Sequence, residues 1–215
     1  MIGSRLPRAL AVCGCILLGG CAALELATAE PPRLYELTPK STFDDLPTVP
    51  GRLSIEVTTA TAGLNSARIA LRQTPTTLDY YAGANWVDVV PVMVQNLLLE
   101  SLDNTGRIDV LGREVVGVRA DLALLTHVRE FQAEYDTADA PQVRVRLQAR
   151  LIRLPRRTSI AAVSEESVVR ASNTSLPAII DAFDEAFGKV LRRVVDWTVM
   201  EAATAQSEAG PTGPL

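Results

Sequence analysis

The stretch DLALLTHVREFQAEY (residues 121–135), the break DTADAP (136–141) and the stretch QVRVRLQARLIRL (142–154) decide the fold. In the second stretch Val143, Val145, Leu147, Ala149 and Leu151 alternate with Arg144, Arg146, Gln148 and Arg150. In the first, Phe131, Ala133 and Tyr135 alternate with Glu130, Gln132 and Glu134. Strict alternation is the mark of a strand with one buried face, and a polar break holding Asp, Ala and Pro suits a reversal. The two stretches are therefore expected to form an antiparallel hairpin. Pairing Tyr135 with Val143 and Phe131 with Leu147 keeps the apolar side chains together and sets Glu134 by Arg144 and Gln132 by Arg146. A slip by one residue would oppose charge with Val.

Working outward, Thr158 to Ala171 reads as a third strand, turning back at Leu154-Pro155-Arg156-Arg157. Beyond it Ser175 and Pro177 open a helix expected over 176–201, with Ile179, Ile180, Phe183, Ala186, Phe187, Val190, Leu191, Val194 and Trp197 on one stripe. Upstream, Val90, Met93, Val94, Leu97, Leu98, Ser101 and Leu102 define a second amphipathic helix over about 88–105, with Asp88 expected to cap its start and Gly106 its end. Arg52 to Thr59 and Ser66 to Gln73 alternate as strands and are expected to pair with each other; Leu78 to Ala82 is a further short strand ended by Gly83, and Leu34 to Leu37 an edge strand. The expected fold class is α+β: a largely antiparallel sheet packed by two amphipathic helices.

The ends of the chain say where it works. Arg5 and Arg8, the apolar run Ala9 to Leu18, and Leu18-Gly19-Gly20-Cys21 read as a lipoprotein signal peptide over 1–20, with Cys21 the lipidated residue of the mature chain. The run is too short to cross a bilayer, which takes about 20 apolar residues. Cleavage after Ala27-Thr28-Ala29 is the competing site, farther from the apolar run. All three cysteines, Cys13, Cys15 and Cys21, lie in or at the end of this segment, so no disulfide framework or cysteine metal site is expected in the mature chain. Two or three acyl chains would anchor the protein firmly to a membrane. Residues 21–32 read as a tether, and the proline-rich character continues to Gly51. Residues 33–201 read as one domain and 202–215 as a disordered tail.

The formal net charge of −4 argues against a nucleic-acid partner, which calls for a broad basic field. There is no P-loop, G-x-G-x-x-G or G-x-S-x-G motif, and the single histidine, His127, shares the parity of Phe131 and so should face the apolar side. No enzyme and no cofactor or metal is expected. Two candidate contact surfaces for a partner or lipid remain. One is the arginine row Arg144, Arg146 and Arg150, which Glu130 and Glu134 would otherwise balance as a solvated face; the other is Tyr80, Tyr81 and Trp86, which could equally close the core.

Several segments together resemble a known family: Tyr35-Glu36-Leu37; Leu78-Asp79-Tyr80-Tyr81 leading to Trp86-Val87-Asp88-Val89-Val90-Pro91; Leu102-Asp103-Asn104-Thr105-Gly106-Arg107; and Ala182-Phe183-Asp184-Glu185-Ala186-Phe187 with Trp197. Their order behind a lipobox is similar to that in ABC-type transport auxiliary lipoproteins, the group of the paraquat-inducible protein C lipoproteins. The resemblance implies a non-catalytic periplasmic component of a lipid transport system, partnered with an MCE-domain (mammalian cell entry) protein and indirectly with an inner-membrane permease and an ATPase, and able to form a homo-oligomer. It would dock the conduit at the outer membrane, where Ala22 and Ala23 after Cys21 suit retention. An outer-membrane assembly or scaffold lipoprotein with no lipid path is the alternative.

Overall fold

A computed structural model describes residues 30–111, 119–136 and 138–208. The signal segment and Cys21 lie outside these. The order of elements is β1 (Arg33–Tyr35), β2 (Arg52–Ile55), β3 (Thr59–Ala60), β4 (Arg68–Arg72), β5 (Asp79–Trp86), α1 (Val90–Asn104), β6 (Asp109–Leu111), β7 (Leu122–Glu134), β8 (Gln142–Arg153), β9 (Thr158–Arg170) and α2 (Leu176–Glu208). All nine strands form one mixed sheet, mostly antiparallel by ladder length, with both helices packed into a common apolar core. The α+β expectation holds.

The hairpin forms, and its faces are those the alternation predicts, but its register is offset by two residues. Phe131 opposes Val145 and Ala133 opposes Val143, with Phe131, Val145 and Leu147 all buried on one face. Glu134 now lies opposite Gln142, and Gln132 opposite Arg144. An offset of two preserves every face, so periodicity cannot distinguish it; the length of the connecting turn decides. Between Val128 and Glu130 the ladder shifts, because β7 carries an extra residue, Arg129, in a β-bulge. A bulge reverses parity along its strand. Below it Leu122, Leu124, Thr126 and Val128 take the buried, helix-facing side, and His127 turns to the face away from the helices, where its Nδ1 lies 2.8 Å from Thr59 Oγ1. The expectation of a core-facing His127 is thus corrected.

The other flank of β7 departs further. The segments 52–59 and 66–73 do not pair with each other; β2, β3 and β4 lie end to end, all parallel to β7, against Leu122–Leu124, His127–Val128 and Gln132–Glu134. Parallel neighbours cannot be joined by a tight turn, and here the two β-segments share β7 as partner. β5 pairs antiparallel with β4 and runs through Gly83, whose φ of 65° sits in a register shift between Arg68 and Ala70, so Gly83 bends the strand instead of ending it. β1 closes that edge beside β5, and β6 pairs with β2.

Every residue of the predicted stripe on α1 is buried. Its cap is Val89, not Asp88: Asp88 Oδ1 accepts the Val89 N–H at 3.0 Å, and the Ser66 carbonyl accepts the Val90 N–H at 3.1 Å, so no side-chain cap forms. Gly106, at φ 59°, ends the helix as expected, its N–H reaching the Asp103 carbonyl. The helix α2 begins at Leu176 but runs to Glu208, beyond the predicted end at Glu201. Ala202 and Ala205 are buried, and Arg153 Nη2 donates to the Ala205 carbonyl at 2.8 Å, so small residues that look like a tail are helix packed close to a strand. The proline-rich run likewise stops being a tether at Arg33. Leu37, Leu46 and Val49 are buried, Thr38 donates through its N–H and hydroxyl to Asp184, and Lys40 bonds Ser101 and Asn104, so residues 36–50 strap both helices.

Candidate functional site

The two candidate surfaces have different fates. Trp86 is 1% exposed, with its ring 5.8 Å from Phe131 and 5.1 Å from Phe183 in edge-to-face contact. It is a core residue. Tyr80 and Tyr81 alternate across β5. The Tyr80 hydroxyl donates to the Gly63 carbonyl at 2.9 Å while the Arg68 guanidinium covers the ring at 3.8 Å; the Tyr81 hydroxyl shares a 3.0 Å hydrogen bond with Tyr135. Burial, then the Tyr135 hydroxyl, push the Tyr81 phenol well above its ordinary value, so it stays neutral. The structure brings these three aromatics to one strand but not to one surface.

The arginine row lies on the sheet face that the helices leave open. Arg144 pairs with Glu134 at 3.0 Å and with Glu166, and Arg146 pairs with Glu130 at 2.6 Å and approaches Glu166 at 3.8 Å. Arg72 adds a longer contact to Glu130, so the network ties β4, β7, β8 and β9 together. At its centre Gln132, fully buried, donates to Glu130 and Glu134 and accepts the Phe131 N–H at 2.8 Å. Burial alone would raise the Glu130 carboxyl, but hydrogen bonds from Gln132 and Arg146 and the charges of Arg72 and Arg146 outweigh it and hold Glu130 below its ordinary value. Arg144 and Arg146 are therefore neutralised locally, the balanced reading of this face. Glu134 still meets Arg144, now diagonally across the shifted ladder.

Arg150 is different. On β8, Arg144 and Arg146 hold carboxylates and Arg153 holds the Ala205 carbonyl, whereas Arg150 makes no ion pair or hydrogen bond among the described residues. It borders a hollow of about 500 Å³ that also exposes Thr59, His127, Gln148 and Ser164. Gln148 was legible as a polar-face position; His127 was missed because nothing in the sequence announces the bulge at Arg129. Among the described residues no group of three His, Cys, Asp or Glu side chains could hold a metal, and no helix is long and apolar enough to cross a membrane.

The family model described as ABC-type transport auxiliary lipoprotein component matches residues 35–195, from β1 to the middle of α2. The chain belongs to this family. The family is described as an auxiliary lipoprotein component of ABC-type transport, and a lipoprotein family is one of the cell envelope. An uncharacterized protein of Bradyrhizobium diazoefficiens is 26% identical over 170 residues, covering 77% of this chain and 44% of the relative, so the chain spans less than half of that protein's length. A crystal structure of a Xanthomonas campestris protein aligns with a TM-score of 0.75 at 25% identity, over 82% of this chain and 98% of that one. A hypothetical protein from Chlamydia trachomatis shares the fold alone, with a TM-score of 0.50 at 7% identity over 72% of this chain and 98% of its own.

Proposed function

We propose that this auxiliary lipoprotein is a lipid-anchored, periplasmic, non-catalytic component of an MCE-type lipid transport system, held at the outer membrane through Cys21 and docking the end of the conduit there. The family match over residues 35–195 carries the reading. The lipobox Leu18-Gly19-Gly20-Cys21 supports the anchor, and Ala22 and Ala23 support the outer membrane. Two or three acyl chains hold a protein at a bilayer where one would exchange. The adenosine triphosphate that drives transport would be spent by the ATPase partner, leaving this chain the work of position and contact. A second copy of the chain is a natural partner in such a dock.

The test is affinity purification of the tagged full chain from detergent-solubilised envelopes. An MCE-domain protein should co-purify. Capture of an outer-membrane barrel with no MCE protein would replace the reading by that of a scaffold lipoprotein. Separately, Cys21→Ser should abolish the outer-membrane pool, sending the chain to the soluble periplasm or leaving it as an unprocessed inner-membrane precursor; an unchanged outer-membrane pool would refute the anchor.

A further inference from the structure

The hollow on the open face is built by register. Thr59 pairs with His127, His127 with Gln148 and Gln148 with Ser164, so four polar side chains from β3, β7, β8 and β9 stand in one row across the sheet. The next row holds Leu125, Arg150 and Ala162. Neighbours one row over on adjoining strands lie about 7–8 Å apart, still within reach of a long side chain, so Arg150, flanked by apolar groups in its own row, can reach toward the His127, Gln148 and Ser164 side chains. The row beyond, toward the far end of the hairpin, contains Glu130 and Glu166, and both are committed to arginines. The hollow therefore has one guanidinium, the Gln148 amide and Ser164 hydroxyl as neutral donors, the His127 ring, and no free carboxylate.

The bulge is what makes this possible. Without the extra residue Arg129, His127 would face the helices, and Val128 would face the hollow. Bulges commonly re-aim a side chain at a site in this way. The Thr59 hydroxyl engages Nδ1 at 2.8 Å, fixing the ring and leaving Nε2 for another partner.

We infer that this hollow binds a phosphate group, with the Arg150 guanidinium as its charged clamp, the Gln148 amide and Ser164 hydroxyl as neutral donors, and His127 as the positioned ring at its rim. A guanidinium matches two oxygens of a phosphate with two parallel hydrogen bonds, and a tetrahedral oxyanion accepts from several directions at once. Leu125 and Ala162, beside Arg150, suit the carbon chain of an ester. A phospholipid head group and free inorganic phosphate share this chemistry, and the apolar pair separates them. The site stands on geometry that is independent of the MCE partnership.

Calorimetric titration of the purified full chain, in a phosphate-free zwitterion-free detergent, tests it with two probes: inorganic phosphate, and dihexanoyl phosphatidic acid below its micellar concentration. Saturable binding of at least one probe is expected, weakened tenfold or more by Arg150→Gln and several-fold by Gln148→Leu, and unchanged by Arg33→Gln on the β1 edge. Tighter binding of the lipid assigns a head-group site; equal binding assigns a free-phosphate site. Arg150 and Gln148 are exposed, so both variants should melt with the parent protein, and either one that folds decides the matter. No saturable binding of either probe, or binding that both variants leave intact, overturns the proposal.

Discussion

The two flanks of β7 are built in opposite ways. On one, β8 and β9 run as long antiparallel ladders, each interrupted by a single register shift, from Leu122 opposite Arg153 to Glu134 opposite Gln142 and from Gln142 opposite Arg170 to Arg153 opposite Thr158. On the other, β2, β3 and β4 meet β7 in three short parallel pieces, the middle one of only two residues. The ladder flank joins neighbours in sequence across short turns. The broken flank closes separations such as the 68 residues between Thr58 and Thr126. Closing long loops costs entropy before any contact forms, so the broken flank has to be held by side chains where the ladder flank is held by its own backbone.

The strongest way to break that contrast is at the point where the flanks meet. Phe131 on β7 touches Trp86 from β5 of the broken flank, and also Phe183 and Phe187 from α2, which covers the ladder flank. Phe131→Ala empties a fully buried site shared by both, and should cost about 3–5 kcal/mol, read by denaturant unfolding. A loss below about 1 kcal/mol would mean that the two flanks do not share one core.

A smaller effect is expected from the charge network that ties β4, on the broken flank, to the ladder. Glu130→Gln removes the carboxylate between Arg146 and Arg72 and should cost about 1–3 kcal/mol at neutral pH. Because Glu130 is held below its ordinary value when folded, its contribution is complete above the ordinary carboxylate range. It is lost as pH falls through that range toward the folded value. Asp136 behaves the same way, lowered to about 2 by Arg170 and the Ala138 N–H, while burial raises Asp196, whose penalty is relieved on acidification. Between pH 5 and pH 3 the parent should lose stability faster than Glu130→Gln does; parallel curves would show that the network is merely decorative.

Where the backbone pairing is thinnest, a buried hydroxyl pair takes over. Thr58 and Thr126 share a 2.6 Å hydrogen bond beside the two-residue β3. Thr126→Val leaves the Thr58 hydroxyl unpaired in an apolar site and should cost about 1–2 kcal/mol. The double variant Thr58→Val/Thr126→Val should recover part of that loss, since neither partner is then left unsatisfied. Additive losses would mean that the pair does not hold β3.

The same contrast explains what could be read from residues alone. Faces on the ladder flank were legible because alternation over a dozen residues survives an offset of two, and the α1 stripe because its period is local. Arg129 carries no glycine or turn signal, so the bulge and the new aim of His127 were not. The partner that β2 and β4 share, β7, lies 69 and 62 residues away from them, beyond what periodicity reports. Of the candidate surfaces, the pairing of Arg144 with Glu134 was foreseeable by charge, but Arg150 stands apart only because Leu125 and Ala162 flank it, and that row depends on the bulge.

The smallest effect should come from the strap of residues 36–50, which belongs to neither flank. A Cβ at Gly188 on α2 would run into the Lys40 side chain, but only at its Cε and Nζ end. That end is flexible and can swing into solvent, while the strap stays bound through the Lys40 N–H to Ser101, its carbonyl to Asn104, and Thr38 to Asp184. Against the lost packing, alanine in a helix interior gains about 1 kcal/mol over glycine. Gly188→Ala should therefore change stability by less than about 0.5 kcal/mol in either direction. A loss several times larger, measured by thermal unfolding, would show that the lysine stem itself clamps the helices. The strap would then have to be counted as a third flank of the core, held by a side chain as β3 is.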